Sequence, residues 1–379
     1  MRRLTMVLVG LALTGLVGCA SSSNSTDGAT SADAGTGVAA AATTTHASAA
    51  TAPTAPTAWE RIAPGGDCHC ADGSEFAFWE HRGDPTRVVF FLDGGGPCYD
   101  ATTCAFLPRE PAYDWNVRDE DPAREDGIFD LARADNPFRG YSFIYVPSCT
   151  GDAHLGAASH AYSSDLTVEH NGFANGSAAL SHLAETYPNA AQVVVVGKSV
   201  GSIAAPVYGG LAADRLPDAR VTVFGAQSGH VPDDPELNTS ILSDLWGVDR
   251  TMPDWEVNRG LTARDWGPRQ FWIRAGLHDS DIVLARFDYA YDREAASGAE
   301  ANGQDPNKLL DVIDENEEAI EATGVLLHSY TAPGDGHGIL EFADFYALEV
   351  NGVRLVDWVA ALAAGAPLDD VHCTECQAG

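Results

Sequence analysis

The stretch Val193-Val194-Val195-Val196-Gly197-Lys198-Ser199-Val200-Gly201 places a serine between a run of valines and a series of small residues. Four consecutive β-branched side chains are typical of a strand buried on both faces of a sheet. The small apolar residues of 200–214 favour a helix that packs closely on such a sheet. A Gly-x-Ser-x-Gly sequence between a strand and a helix predicts a sharp turn that exposes the hydroxyl, so Ser199 is a candidate nucleophile. The alternative is a serine that serves the turn alone.

The segments around this stretch alternate between strand-like and helix-like patterns from about residue 58. The predicted strands are 75–81, 87–93, 141–147, 192–196, 219–226, 269–276 and 324–333. The predicted helices are 172–187, 200–214, about 305–322 and 355–362. Such alternation predicts an α/β fold, with a mostly parallel central sheet covered by helices on both faces, as one domain over 58–379. Residues 105–140 and 230–268 are too long for simple connections, so they either cap the strand ends or decorate the surface.

A targeting segment precedes this domain. Arg2 and Arg3 stand before an apolar run that ends in Leu16-Val17-Gly18-Cys19, which is typical of a lipoprotein signal peptide over 1–18 with lipidation of Cys19. An ordinary secretory signal is the alternative. Residues 19–57 are mostly Ala, Ser and Thr and predict a flexible tether. We therefore expect an exported protein that is lipid-anchored at the cell envelope, at the outer membrane or cell surface, and touches the membrane only through its anchor.

The charge of the chain restricts its partners. The formal net charge is −32, and Lys198 and Lys308 are the only lysines. This balance indicates either a solvated acidic surface or an adaptation to high salt, where screening relieves self-repulsion. Nucleic acid is excluded as a partner in both cases because phosphate binding needs clustered lysines and arginines. The sequence predicts no oligomeric state.

Seven cysteines follow Cys19, namely Cys68, Cys70, Cys98, Cys104, Cys149, Cys373 and Cys376. Disulfides form in exported proteins, so we expect a Cys98–Cys104 pair that closes a short loop and favour a second local pair between Cys373 and Cys376. Zinc bound by the close pairs Cys68/Cys70 and Cys373/Cys376 is the alternative, but these thiolates would be oxidised in that compartment. We therefore expect no metal, and the odd count leaves one thiol unassigned.

A serine nucleophile needs a base and an acid, which follow it in the order Ser, Asp or Glu, His in this architecture. His337 lies in a glycine-rich loop after the last predicted strand, whereas His328 falls inside that strand and His372 in the cysteine-rich tail. The acid should follow the predicted strand that ends near Ala275. Asp279 and Asp281 are the candidates there, and we favour Asp281.

An oxyanion site requires backbone donors near the serine. Gly94, Gly95 and Gly96 come directly after the strand 87–93. Consecutive glycines let backbone N–H groups approach a substrate closely, and the N–H of Val200 supplies a further donor after the nucleophile.

Five segments together resemble the pectinacetylesterase and Notum family of α/β-hydrolases, in its bacterial branch. They are CADGSEFAFWEH (70–81), FFLDGGGPCYDATTC (90–104), YVPSCTGDAHLG (145–156), HNGFANGSAAL (170–180) and APGDGHGIL (332–340). The resemblance implies a serine carboxylesterase of Ser-Asp-His type without a cofactor. It also implies O-acyl or O-acetyl ester substrates, such as an O-acetylated glycan. The alternatives are a serine peptidase on the same fold and a non-catalytic surface protein that binds a glycan or an acyl chain.

The chain departs from the family pattern at two positions. Lys198 stands where the family has a small residue before the serine, and it either steers an anionic substrate or pairs with an acidic neighbour. Gln227 stands where the family tends to have an aspartate before Ser-Gly.

Overall fold

A nine-stranded sheet forms the centre of the structure, a computed structural model that describes residues 58–376 except 110, 119 and 125. The predicted signal peptide of 1–18, the lipidation site Cys19 and the tether of 19–57 lie outside the described residues. Within the described part, no helix has the length and apolar character that a bilayer crossing requires.

The strands are β1 (Glu60–Ile62), β2 (Phe78–His81), β3 (Asp84–Leu92), β4 (Tyr141–Val146), β5 (Ala158–Ser163), β6 (Leu166–His170), β7 (Gln192–Lys198), β8 (Arg220–Ala226), β9 (Val283–Tyr289), β10 (Leu327–Ala332), β11 (Glu349–Val350), β12 (Val353–Arg354) and β13 (Val371–His372). The α-helices are α1 (Gly172–Thr186), α2 (Val200–Arg215), α3 (Pro235–Asn238), α4 (Pro268–His278), α5 (Arg293–Ala301), α6 (Leu309–Glu321) and α7 (Leu355–Ala364). Short 3₁₀ turns and one π-helical segment at Thr239–Leu245 connect these elements.

The central sheet is mostly parallel, which confirms the predicted α/β architecture. Its strand order is β1-β2-β4-β3-β7-β8-β9-β10-β13. All neighbours from β4 to β13 pair in parallel, whereas β2 is antiparallel to both β1 and β4. Parallel strands end at the same edge of a sheet, so the loops after β3, β7, β8, β9 and β10 all leave at one carboxyl edge.

The middle of this sheet is fully buried. The valines 193–196 of β7 have no exposed surface, and Val88–Leu92 of the neighbouring β3 are equally buried. Helix α2 packs on β7 and β8. Side chains that are apolar on both faces of a strand require cover on both faces, which explains why this run of valines lies at the centre and not at an edge.

The strand predicted for 269–276 is wrong, because these residues belong to helix α4. Phe, Trp and Ile favour strands, and three of them in succession misled the prediction. Pro268 occupies the first position of the helix, where proline is common, and it indicates that a helix begins at this residue. Among the central parallel strands from β4 to β10 in the sheet, the one that the sequence did not predict is β9, whose apolar run is interrupted by Arg286 and Asp288. These two side chains form a buried ion pair at 2.8 Å.

Three disulfides tie the loops together. The predicted Cys98–Cys104 and Cys373–Cys376 pairs are confirmed, and a Cys70–Cys149 bridge that sequence reasoning did not foresee joins residues 79 positions apart. Cys68 is the free thiol among the described residues. The zinc alternative is wrong, because three of its four cysteines are in disulfides.

The disulfides should differ in their effect on stability. In the chain-entropy description, loss of the bridge that closes the long loop lowers the free energy of unfolding by about 4 kcal/mol, and loss of the bridge that closes the short loop by about 2 kcal/mol. We therefore expect Cys70→Ala/Cys149→Ala to reduce stability more than Cys98→Ala/Cys104→Ala in chemical denaturation. Cys68→Ala is the control and should leave stability nearly unchanged. Equal losses in the two double variants would contradict this account.

Candidate active site

Ser199 occupies the turn between β7 and α2 in a strained backbone conformation. Its φ is 52° and its ψ is −123°. A positive φ costs a non-glycine residue on the order of 1–3 kcal/mol and persists only where the surroundings hold it. The Ser199 N–H donates to the carbonyl of Ala226 at 2.8 Å, and the Ser199 carbonyl accepts the N–H of Ser202 at 2.9 Å. The turn is thus held on both sides of the serine, as a nucleophile elbow requires.

The two glycines of the motif allow the backbone to approach itself closely. A Cβ atom on Gly197 would lie 2.4 Å from the carbonyl oxygen of Gly201. A Cβ atom on Gly201 would lie 2.2 Å from the carbonyl oxygen of Leu92 in β3. Neither distance is accessible to a real side chain, so a Cβ at position 197 would open the turn between β7 and α2, and a Cβ at position 201 would push the elbow away from β3.

His337 lies in the loop after β10 and is oriented by a buried carboxylate. Its Nδ1 is 2.7 Å from Oδ2 of Asp292, which is fully buried. A carboxylate only accepts hydrogen bonds, so Nδ1 carries the hydrogen and Nε2 is left to accept a proton. Asp292 is itself fixed as the N-cap of α5, because its Oδ1 accepts the N–H groups of Glu294 at 2.9 Å and Ala295 at 3.2 Å.

The expectation that Asp281 or Asp279 supplies the acid is contradicted. Asp279 ends helix α4, and its Oδ1 accepts the N–H of Asp281 at 2.9 Å. Both residues precede β9 and so lie at its amino edge, whereas Ser199 follows β7 at the carboxyl edge. The difference follows from the missed strand: the carboxylate that contacts His337 does come after a strand, but that strand is β9 and the residue is Asp292.

Gln227 clamps the histidine loop from the end of β8. Its Oε1 accepts the N–H of Gly338 at 2.6 Å, and its Nε2 donates to the carbonyl of Gly336 at 3.3 Å. One side chain therefore bonds the backbone on both sides of His337. Gln227 also has a positive φ of 71°, and its own N–H donates to Phe287 of β9 at 2.7 Å. Gln227 thus connects the loop after β8, the histidine loop after β10 and strand β9.

The predicted oxyanion donors need one correction. The N–H of Gly94 donates to Oδ1 of Asp93 at 2.7 Å, so it is already used. Gly95 and Gly96, with φ of 127° and 77°, adopt backbone conformations that favour glycine, and both line the cavity described below. Val200 is the first residue of α2, and the first amides of a helix have no partner within the helix. The positive end of that helix also favours a negative charge.

A cavity of about 550 Å³ contains these groups. Ser199, His337, Gly95, Gly96 and Val200 all contribute to its lining. Parts of the two segments predicted as a cap, 111–114 and 230–246, line the same cavity. Most of the wall is apolar and includes Pro97, Tyr99, Ile203, Leu242, Trp246 and Ala299.

The ionisable groups of the wall differ in their expected charge. Burial, followed by the charge of Asp93, raises the pKa of Asp114 to about 6. Burial lowers the pKa of His230 to about 4, so this imidazole is neutral at pH 7. Lys198 pairs with Oδ1 of Asp93 at 2.7 Å and with Oε2 of Glu341. Of the two alternatives for Lys198, the structure therefore shows the pairing with acidic neighbours.

Two groups of side chains in the described residues have metal-ligand geometry, and neither contributes to the cavity. One group is His372 with Cys373 and Cys376, and the other is Glu317, Glu321 and Asp370. The two cysteines of the first group are bonded to each other.

The geometry agrees with the similarity of the chain to known proteins. The sequence model described as pectinacetylesterase matches residues 62–240. A structure of the Wnt deacylase Notum from Drosophila, in crystal form II, matches with a TM-score of 0.62 and 15% identity over 85% of this chain and 97% of that chain. Crystal form I of the same protein matches with a TM-score of 0.58 and 15% identity over 84% of this chain and 98% of that chain. No curated protein matches the sequence.

The solved structures support the α/β-hydrolase fold, and the family match supports the reaction class. Residues 62–240 therefore form a domain of the pectinacetylesterase family, and the chain is a carboxylester hydrolase with an α/β-hydrolase fold.

Proposed function

We propose that this protein is an exported serine esterase that cleaves O-acyl esters through an acyl-enzyme on Ser199. One observation carries the proposal: the strained Ser199 shares a cavity with His337, whose ring is oriented by the buried, helix-capping Asp292. A serine, an imidazole and a carboxylate in this relation form the arrangement that activates a hydroxyl.

The mechanism follows from these positions. The Ser199 oxygen attacks the ester carbonyl while Nε2 of His337 accepts the hydroxyl proton. Asp292 stabilises the imidazolium that forms, and the N–H groups of Gly95, Gly96 and Val200 stabilise the oxyanion. The imidazolium then protonates the leaving alcohol, and water hydrolyses the acyl-enzyme by the same steps.

The apolar wall of the cavity favours an acyl group longer than acetyl. A volume of about 550 Å³ is much larger than an acetyl group needs, and each buried methylene contributes about 0.8 kcal/mol to binding. The described activity of Notum, a deacylase, is compatible with this reading. We therefore propose that the acyl chain of the substrate occupies the region near Leu242 and Trp246.

The charges around the cavity favour an uncharged substrate. Asp114 and Glu294 line it, and its single lysine, Lys198, already pairs with two carboxylates. No arginine contributes to the lining that the described residues form. A polyanion such as polygalacturonate would lack a cationic partner here, so an O-acyl ester of a neutral alcohol, such as a glycan hydroxyl, fits better.

Three disulfides are typical of proteins that fold in an oxidising compartment, and they support an extracellular location. Anchoring through a lipidated Cys19 is the part of this proposal that rests on the sequence alone.

A fluorophosphonate probe tests the nucleophile. We expect the probe to add its mass to Ser199, because phosphonylation uses the same base and donors as acylation. Ser199→Ala should abolish both labelling and hydrolysis of p-nitrophenyl esters, whereas Ser163→Ala, an exposed serine of β5, should change neither. A wild-type protein that stays unlabelled and inactive would favour the non-catalytic binding protein.

The choice of acid can be tested by paired variants. Asp292→Asn should lower kcat by roughly 10⁴-fold, because an amide no longer stabilises the imidazolium. Asp281→Asn and Asp279→Asn serve as matched controls and should keep wild-type kcat in the same p-nitrophenyl ester assay. A large loss of kcat in either control, together with an active Asp292→Asn variant, would indicate that Asp281 or Asp279 is the acid, as the sequence predicted.

The acyl site can be tested by filling it. Leu242→Trp should lower kcat/KM for p-nitrophenyl octanoate by at least about ten-fold and leave p-nitrophenyl acetate nearly unchanged, since a lost pocket for several methylenes costs more than 1.4 kcal/mol. Leu107→Trp, at an exposed position outside the cavity lining, is the control. Equal effects on the two esters would contradict an acyl chain at Leu242.

A further inference from the structure

Lys198 is a buried cation directly before the proposed nucleophile. Its side chain is 14% exposed, and its Nζ lies 2.7 Å from Oδ1 of Asp93 and pairs with Oε2 of Glu341. Burial acts to lower the pKa of Lys198, but the two carboxylates raise it above its ordinary value, so the ammonium stays charged. Two carboxylates face this single ammonium, so the group carries no net positive charge that would attract an anionic substrate.

Each partner of Lys198 belongs to a different part of the proposed catalytic machinery. Asp93 directly precedes Gly94–Gly96, which we call the oxyanion loop. Glu341 lies in the short 3₁₀ turn that follows the loop of His337. Lys198 itself belongs to the elbow. One ammonium therefore connects the elbow, the oxyanion loop and the segment after the histidine.

Asp93 links Lys198 to the oxyanion loop through hydrogen bonds. Its Oδ1 accepts the N–H of Gly94 at 2.7 Å, in addition to Lys198, and its Oδ2 accepts the hydroxyl of Tyr145 at 2.6 Å. Although burial acts to raise the pKa of Asp93, the Lys198 ammonium holds it below its ordinary value. Asp93 is thus an ionised carboxylate in contact with the first peptide of the loop.

Among the residues that the structure describes, the side-chain carboxylate of Asp93 is bonded to one cation, Lys198, and to two neutral donors, the N–H of Gly94 and the hydroxyl of Tyr145. The oxygen of Tyr145 lies 2.8 Å from Oε2 of Glu120, and burial followed by the charge of Asp93 raises the pKa of Glu120 to about 7. A phenol has one proton to donate, so a protonated Glu120 donates to Tyr145 while Tyr145 donates to Asp93. The neighbouring acids thus respond to the charge of Asp93 but do not neutralise it.

The stem of Lys198 packs directly beneath the oxyanion loop. A Cβ atom on Gly94 would lie 2.8 Å from Cε of Lys198 and 3.2 Å from Cβ of Ser199. The lysine, the serine and the loop are therefore in contact, so a change in the charge or shape of residue 198 acts where the oxyanion develops.

We propose that Lys198 is a positioning residue of the esterase: it neutralises Asp93 beneath the oxyanion loop and fixes that loop and the histidine segment relative to Ser199. The inference rests on the proposed function. Without the ammonium, Asp93 would place an unpaired negative charge next to the site where the transition state becomes negative, and a buried unpaired charge also destabilises its surroundings.

The test compares Lys198→Met with Lys198→Met/Asp93→Asn in hydrolysis of a p-nitrophenyl ester. We expect Lys198→Met to lower kcat by roughly 10²-fold, the size of losing one oxyanion donor, with KM within about two-fold of wild type. Asparagine keeps an oxygen for the N–H of Gly94 and removes the charge, so the double variant should regain at least about ten-fold in kcat. Lys198→Arg keeps the charge and should be more active than Lys198→Met.

The outcomes separate this inference from the proposed function. If the wild-type enzyme is labelled at Ser199, the esterase proposal stands whatever the Lys198 variants do. In that case, an unchanged kcat in Lys198→Met, or no recovery of kcat in the double variant, overturns the role of Lys198. If Lys198→Met does not fold, the triple variant Lys198→Met/Asp93→Asn/Glu341→Gln should still fold, because both carboxylates that face the ammonium are then neutral, and it should have kcat within about ten-fold of wild type. A folded but inactive double or triple variant overturns the inference.

Discussion

The strained turn at Ser199 is the constraint on which the rest of the site depends. A serine with φ of 52° persists because Gly197 lets the end of β7 approach the start of α2, and Gly201 lets the start of α2 approach Leu92 of β3. This turn lifts the hydroxyl above the carboxyl edge of the sheet, where the loops after β3, β8, β9 and β10 also end. Each of these loops contributes one component: the oxyanion glycines, Gln227, Asp292 and His337 respectively. The chemistry thus follows from the parallel order of five neighbouring strands.

Charge is the second organising feature of the site. A chain with a net charge of −32 has few cations, and it buries one of its two lysines directly before Ser199. The two central carboxylates are stabilised in different ways. Asp292 accepts hydrogen bonds from two backbone N–H groups at the start of α5 and from the imidazole Nδ1 of His337. Asp93 instead pairs with the ammonium of Lys198 and accepts hydrogen bonds from the N–H of Gly94 and the hydroxyl of Tyr145. A buried carboxylate without such partners would be protonated and could not serve an ionic role.

Much of this arrangement could be predicted from the sequence because it is encoded locally. The valine run with Gly-Lys-Ser-Val-Gly predicted both the central strand and the turn, and the glycine-rich loop around His337 follows the strand that was expected. The carboxylate that contacts His337 could not be placed because its position depends on which segment forms the adjacent strand. The aromatic residues of α4 favour a strand, so this helix was predicted as one. The charged residues Arg286 and Asp288, which form a buried ion pair, interrupt the apolar pattern by which β9 would have been predicted. Long-range contacts also escaped prediction, since no local pattern pairs Cys70 with Cys149 or Lys198 with Glu341.

A crystal structure of the fluorophosphonate adduct tests the central claim most directly. The account predicts a phosphorus atom bonded to Oγ of Ser199, with its phosphonyl oxygen about 2.7–3.1 Å from the N–H of Val200 and from that of Gly95 or Gly96. It also predicts that the imidazole of His337 faces the adduct while its Nδ1 remains bonded to Asp292. An adduct on another residue, or a phosphonyl oxygen that points away from these N–H groups, would contradict the account.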